Sequence, residues 1–169
     1  MSQFKSIDPQ ELQGNFFKRI GEDWMLVTAE KEGLVNMMTA SWGGIGIYYG
    51  RPVTYTFVRP DRHTKAFIDT AQGFSLGFFS ADYRPQLTFC GTKSGRDFDK
   101  VQECGFTVLH EDGIPYFAQS ETSLFCRPLL AQVIDPDAFT RPEIAPAIYP
   151  DKDYHTLYIS EIIKVLVQE

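Results

Sequence analysis

The chain has 169 residues, enough for one compact domain spanning 1–169 and too few for two ordinary ones. Hydrophobic residues make up 43% and charged residues 22%, close to globular averages, and no apolar run approaches the ~20 residues that cross a bilayer. A formal charge of −6 opposes nonspecific attraction to nucleic acid, so each basic cluster needs a local explanation.

The opening MSQFKSIDPQEL has no apolar stretch behind a basic start, which speaks against a secretory signal and for a cytoplasmic protein. Asp8, Pro9 and Glu11 read as a helix start, with the helix running to about Phe17. Met25 to Glu30 and Leu34 to Ala40 read as strands of a hairpin turned at Gly33. Gly43, Gly44, Gly46 and Gly50 are expected to break regular structure before Val53, Tyr55 and Phe57 alternate along a strand toward Arg59 and Pro60.

Thr64 to Gln72 is helical in character, with Thr64 as cap and Gly73 as terminator. Phe74 to Phe79 returns to strand. Ser80 is placed to cap a helix through Leu87 to Cys90, stopped by Gly91, with Pro85 admissible only near its first turns. After the loop GTKSGRD, Asp97 to Cys104 reads as a short helix. Phe106 to His110, Tyr116 to Gln119 and Leu124 to Ile134 read as strands, the first pair turned at Asp112 and Gly113.

Four prolines mark Asp135 to Asp153 as an irregular excursion that covers part of the surface. His155 to Val167 alternates strongly enough for a long closing strand with one irregularity. Successive strands with short inserted helices favour a closed or partly closed β-barrel over a doubly wound sheet. Cys90, Cys104 and Cys126 are an odd number without close spacing, so neither a disulfide framework nor a thiolate metal site is expected.

Three segments carry candidate chemistry. In NMMTASWGG, Thr39 and Ser41 offer hydroxyls and Trp42 a flat wall where a strand meets a glycine-rich turn. The same residues equally suit an ordinary strand end. In VRPDRHT, Arg59 and Arg62 flank a turn feeding a helix start at Thr64, which fits a terminal phosphate or two solvated arginines. His63 reads as a surface residue at that helix start.

In CGTKSGRDFDK, Gly91 and Gly95 free the backbone while Thr92, Lys93 and Ser94 offer donors. Neither GxxxxGK[ST] nor GxGxxG is present, so the usual ATP and dinucleotide motifs give no support. Cys90 reads as a buried structural thiol. His155, in HTLYISE, is by itself more often a structural than a catalytic type of residue, and His63, His110 and His155 are too dispersed for a metal site.

Taken in order, NMMTASWGG, VRPDRHT, CGTKSGRDFDK and HTLYISE resemble the flavin reductase-like, FMN-binding split-barrel family, particularly its flavoredoxin-type members, from about Trp24 to the C-terminus. The resemblance implies a mainly β fold with added helices, a six-stranded Greek-key split barrel, and a homodimer with FMN in a groove shared by both subunits. It implies that Asn36, Thr39, Ala40, Ser41 and Trp42 line the flavin, that Arg59, Arg62 and Thr64 sit near its phosphate, and that Lys93 contacts FMN with Thr92 and Ser94 beside it.

On the same resemblance, His155 stands near the flavin or the incoming reductant. Ser160 replaces a frequent glycine, and the proline-rich excursion lies where members vary, which leaves the nicotinamide side open. Three functions follow: a reductase taking hydride from NAD(P)H through FMN to free flavin or another acceptor, a flavoredoxin-type carrier serving a protein partner, or a barrel binding another phosphate-bearing ligand.

Overall fold

Among residues 3–169, which the computed structural model describes, the chain opens with β1 (Phe4–Ile7) and a 3-10 turn at Pro9–Glu11. The expected capping box forms: Asp8 Oδ1 accepts from Gln10 N at 2.8 Å and Glu11 Oε2 from Asp8 N at 3.3 Å. It supports only that turn. The helix expected to run on to Phe17 is interrupted, and Asn15, accepting from Lys18 N, restarts it as α1 (Phe16–Gly21).

The hairpin β2 (Met25–Lys31) and β3 (Leu34–Ala40) turns where expected. Gly50, at φ +67° in the turn before β5, breaks regular structure as expected, but Gly43, Gly44 and Gly46 do not; Gly43–Tyr48 is strand β4, paired with β5 (Arg51–Val58). The glycines let the two strands close around Tyr55. A Cβ on Gly43, whose φ is +152°, would stand 2.5 Å from the Tyr55 carbonyl oxygen, and one on Gly46 3.2 Å from the Tyr55 ring.

The next helix, α2 (His63–Ile68), is shorter than expected and Thr64 is not its cap. Arg62 holds the N-cap position, and Thr64 lies inside the first turn with its hydroxyl turned toward β3. The helix stops early where Thr70 Oγ1 donates back to Ala66 O at 3.0 Å and Phe67 O at 3.3 Å, competing with the backbone ladder.

Strand β6 (Phe74–Phe78) leads through a 3-10 turn at Ala81–Tyr83 into α3 (Arg84–Thr92), with Pro85 in its first turn. Gly91 does not stop this helix; it lies within it, where a Cβ would stand 3.3 Å from Thr39 Cβ. Its role is close packing of α3 on β3. Helix α4 (Lys100–Cys104) begins three residues later than expected, because Asp99 rather than an earlier residue caps it, accepting from Gln102 N at 3.1 Å.

Strands β7 (Val108–Glu111) and β8 (Ile114–Phe117) form a separate hairpin, and β9 (Thr122–Val133) rejoins the main sheet. The proline-rich excursion contains a 3-10 turn at Pro136–Ala138 and α5 (Ile144–Ile148). β10 (Thr156–Gln168) closes the fold with two register shifts against β9, at Ile159/Ser160 and Ile162/Lys164, where one irregularity was expected.

The large sheet is antiparallel, in the order β3-β2-β6-β9-β10-β5-β4, with β1 added to β10. It therefore carries eight strands, two beyond the six-stranded barrel implied by the resemblance, and N-terminal β1 is one addition. Its outermost strands, β3 and β4, are joined directly through Ser41 and Trp42, so the sheet must curl on itself with a split at that junction. Alternation on β2 and β3 sends Met25, Val27, Ala29, Met38 and Ala40 to the barrel interior, while Leu26 and Met37 face the outer layer with Leu87 and Cys90 of α3. No helix among the described residues is long and apolar enough to cross a membrane.

Candidate functional site

The ladder between β2 and β3 ends at Ala40, and pairing of β4 with β5 begins at Gly43. Ser41 and Trp42 thus lie outside both ladders, at the split in the barrel. Beside them opens a cavity of about 210 Å³, whose wall from β3 onward is Met38, Thr39, Ala40, Ser41 and Trp42. Phe57 at the end of β5, Arg59 and Arg62 in the following turn, and His155 just before β10 complete it.

The two arginines are held differently. Arg59 forms an ion pair with Asp153, and its guanidinium carbon lies 5.7 Å from the Tyr149 ring centroid. Arg62 Nη1 donates to the neutral Gly91 carbonyl at 2.7 Å, near the C-terminal end of α3. Arg59 is therefore largely compensated by a carboxylate, whereas Arg62 keeps its net charge for an anion in the cavity.

His155 is buried, with its ring centroid 5.0 Å from that of Trp42 and its Nδ1 2.9 Å from the Tyr149 hydroxyl. Burial, reinforced by the positive charge of Arg59, lowers its pKa to about 4, so the imidazole is neutral near pH 7. Burial raises the Tyr149 phenol, which stays protonated and shares a hydrogen bond with Nδ1. With the phenol as donor in that bond, the imidazole proton sits on Nε2.

The GTKSGRD loop docks against the Arg59–Arg62 turn from the other side. Arg96 Nη1 donates to Asp61 O at 3.1 Å, matching the Arg62–Gly91 bond in the reverse direction. Lys100 is 4% exposed, and its Nζ donates to Cys90 O and Lys93 O, each at 3.2 Å. Within this frame Thr92 Oγ1 bonds back to Thr88 O at 2.9 Å, Lys93 Nζ lies 5.7 Å from the Phe98 ring centroid, and Ser94 Oγ accepts from Arg96 N at 3.2 Å. Thr92, at the end of α3, and Lys93 and Ser94 in the loop after it stand next to the cavity and outside its wall.

Asn36 and Thr64 are also outside that wall. Asn36 Nδ2 donates to Thr64 Oγ1 at 3.0 Å in a buried bond that braces β3 on α2. Asn36 instead borders a second, more open cavity of about 660 Å³ with His63, Gly95, Arg96 and Lys100.

The structure thus brings Thr39, Ala40, Ser41, Trp42, Arg59, Arg62 and His155 together around one cavity. Sequence reasoning missed Tyr149 and Asp153, which reach back from the excursion, and Arg96 and Lys100, which fix the neighbouring loop. Asp153 and Tyr149 carried one signal: they belong to the segment expected to cover something. The site offers a cationic end, a flat aromatic edge and a neutral imidazole donor, a set that suits a planar ring joined to an anionic group.

A model of the flavin reductase like domain matches residues 17–169. No curated protein matches significantly. Among solved structures, an FMN-binding domain of a flavin reductases-like enzyme from Shewanella baltica is similar at 18% identity and a TM-score of 0.70, over 98% of this chain and 78% of that one. Flavoredoxin from Methanosarcina acetivorans is similar at 20% identity and 0.68, over 87% and 69%. An NADH:FAD oxidoreductase from Streptomyces globisporus, solved with NAD and FAD fragments, is similar at 16% identity and 0.63, over 87% and 77%.

Proposed function

Because the chain belongs to the flavin reductase like domain family, we propose that it binds FMN at the split-barrel cavity and acts as an NAD(P)H-dependent flavin reductase. The observation that carries this reading is the convergence of Trp42, Arg59, Arg62 and His155 on one cavity. The residues fit the cofactor: Arg62 and Arg59 supply charge-assisted donors for the phosphate, and the backbone at Ser41 and Trp42, free of both ladders, lies where a ring edge would rest.

When bound, FMN supplies a ring that accepts a hydride and passes electrons on. The chain's part is to orient and to tune. Trp42 walls one side of the approach to the ring. His155 offers its Nε2 proton to a hydrogen-bond acceptor without adding a positive charge, and Tyr149 holds the ring plane. The Thr92–Ser94 loop is the proposed further contact for the cofactor, reached from its docked position beside Arg62.

A homodimer is part of the proposal. The cavity is smaller than the ~300–1,000 Å³ usual for ligand clefts, and Ile47 on the edge strand β4, with Trp42 and Tyr49 flanking that strand, are exposed at 63%, 45% and 81% respectively. A second copy laid on that edge completes the wall and covers the apolar residues. Light scattering of the purified chain tests it, and a monomer at micromolar concentration rejects it. We place the protein in the cytoplasm, in keeping with three free thiols.

The deciding experiment is an anaerobic absorption spectrum of FMN-loaded protein before and after NADH or NADPH, followed by free flavin. Bleaching by either nucleotide and recovery on adding flavin is expected. Flavoredoxin among the similar structures favours a second reading, an electron carrier. Bleaching by a reduced protein donor with none by either nucleotide supports that reading, and absence of FMN binding points to another phosphate-bearing ligand.

A further inference from the structure

Cys90 and Cys104 are 14 positions apart in sequence, yet their sulfurs lie 3.6 Å apart where α3 meets α4. Both are free thiols, Cys90 fully buried and Cys104 partly exposed. A disulfide needs the sulfurs at about 2.05 Å, a further approach of about 1.5 Å. Cys104 is well placed to supply it, since it ends a five-residue helix that Gly105 closes in the left-handed conformation.

The surroundings favour reaction at Cys104. Lys100 lies one turn before it on α4, with its ammonium held in the protein by the Cys90 and Lys93 carbonyls. The thiol of Cys90, hydrogen-bonded to Cys104, together with the Lys100 charge, lowers the Cys104 pKa, while Cys90 is raised by the same bond and by burial. The pair therefore has a partly exposed sulfur that ionises first and a buried thiol beside it.

We propose that Cys90 and Cys104 form an oxidative modification site at which a peroxide converts the two thiols to an intrachain disulfide. The Cys104 thiolate attacks one oxygen of hydrogen peroxide; the O–O bond breaks, hydroxide leaves, and Cys104 becomes a sulfenic acid while the peroxide is reduced. The Cys90 sulfur then attacks Cys104 Sγ. The S–S bond forms, the S–O bond breaks, and water leaves with the Cys90 proton. Altogether two thiols and one peroxide give one disulfide and two waters, and a dithiol reductant restores the starting state.

The crosslink encloses Gly91 to Glu103, the segment carrying the Gly91 carbonyl that anchors Arg62 and the loop of Thr92, Lys93 and Ser94. Oxidation thus locks the frame beside the cavity without touching a residue of its wall. The site itself does not depend on the cavity's ligand.

The test treats the folded, full-length chain with stoichiometric hydrogen peroxide, then counts free thiols in denaturant and maps linked peptides by mass spectrometry. The expected count falls from the three free cysteines of the reduced chain to one, with Cys90 linked to Cys104 and the count restored by dithiothreitol. Cys126 is the internal control: it is fully buried, its thiol pushed up to about 12 by that burial, and it stays reduced. In Cys90→Ala, with the resolving thiol gone, dimedone is expected to label Cys104. A wild-type count that stays at three, or peroxide that drives Cys104 to sulfinic acid with no linked peptide, overturns the proposal without reliance on any variant.

Discussion

The Tyr149 hydroxyl lies 2.9 Å from His155 Nδ1, so the proline-rich excursion controls the environment of the one histidine in the cavity. Removing the ring and removing only the hydroxyl should differ. In Tyr149→Ala the cover over His155 is lost, and its pKa is expected to climb from about 4 toward the ordinary 6.5. In Tyr149→Phe the ring and the burial remain, and the pKa should stay low. A pH titration of the imidazole proton by NMR reads both, and a low pKa in the Ala variant would show that the excursion is not what desolvates His155.

The same shift sets a stability trend. Folded His155 has a lower pKa than the unfolded chain, so between about 4 and 6.5 the unfolded state binds more protons and stability falls as the pH falls through that window. Above 6.5 the contribution is flat. The full effect is about 3 kcal/mol at most. Urea unfolding at pH 7 and pH 4.5 measures it; the midpoint should fall more in the wild type than in His155→Asn, and equal falls would remove His155 as a cause.

The features legible in sequence were those with local causes. The β2–β3 turn at Gly33 and the β7–β8 turn at Asp112–Gly113 follow from neighbouring residues alone. Strand β4 was hidden because its glycines answer to Tyr55 on the next strand rather than to a turn of their own. The cavity residues Thr39 to Trp42, Arg59, Arg62 and His155 were legible as types in a recognisable order. Asn36 bonded to Thr64, Tyr149 over His155 and Cys104 against Cys90 arise from packing that no sequence period announces.

The packing on Tyr55 makes Gly43 the most constrained position at the split. Gly43→Ala puts a Cβ 2.5 Å from a backbone oxygen at φ +152°, and is expected to cost about 2–3 kcal/mol. Gly21→Ala, at the end of α1 with nothing within 4 Å of the new atom, should be neutral or stabilising by up to ~1 kcal/mol. Chemical denaturation compares them, and equal midpoints would mean that β4 and β5 can separate at no cost.

The two arginines make the sharpest test of the cavity as an FMN phosphate site. Arg62 gives a hydrogen bond to a neutral carbonyl and keeps its charge, whereas Arg59 is already matched by Asp153. Arg62→Ala should therefore weaken FMN binding by roughly 10- to 100-fold, the equivalent of a lost charge-assisted bond of about 1.5–3 kcal/mol. Arg59→Ala combined with Asp153→Asn should cost less than about tenfold, because the pair removed together carries no net charge. Asp153→Asn alone should tighten binding, and Arg59→Ala alone should weaken it more than the double variant does, because it leaves the carboxylate without its counter-charge. Fluorescence quenching of FMN at two salt concentrations measures all four proteins, with the salt dependence shallowest in Arg62→Ala. If the Arg59→Ala/Asp153→Asn double variant proves more damaging than Arg62→Ala, the phosphate lies toward the excursion; if neither matters, the anion site is elsewhere in the fold.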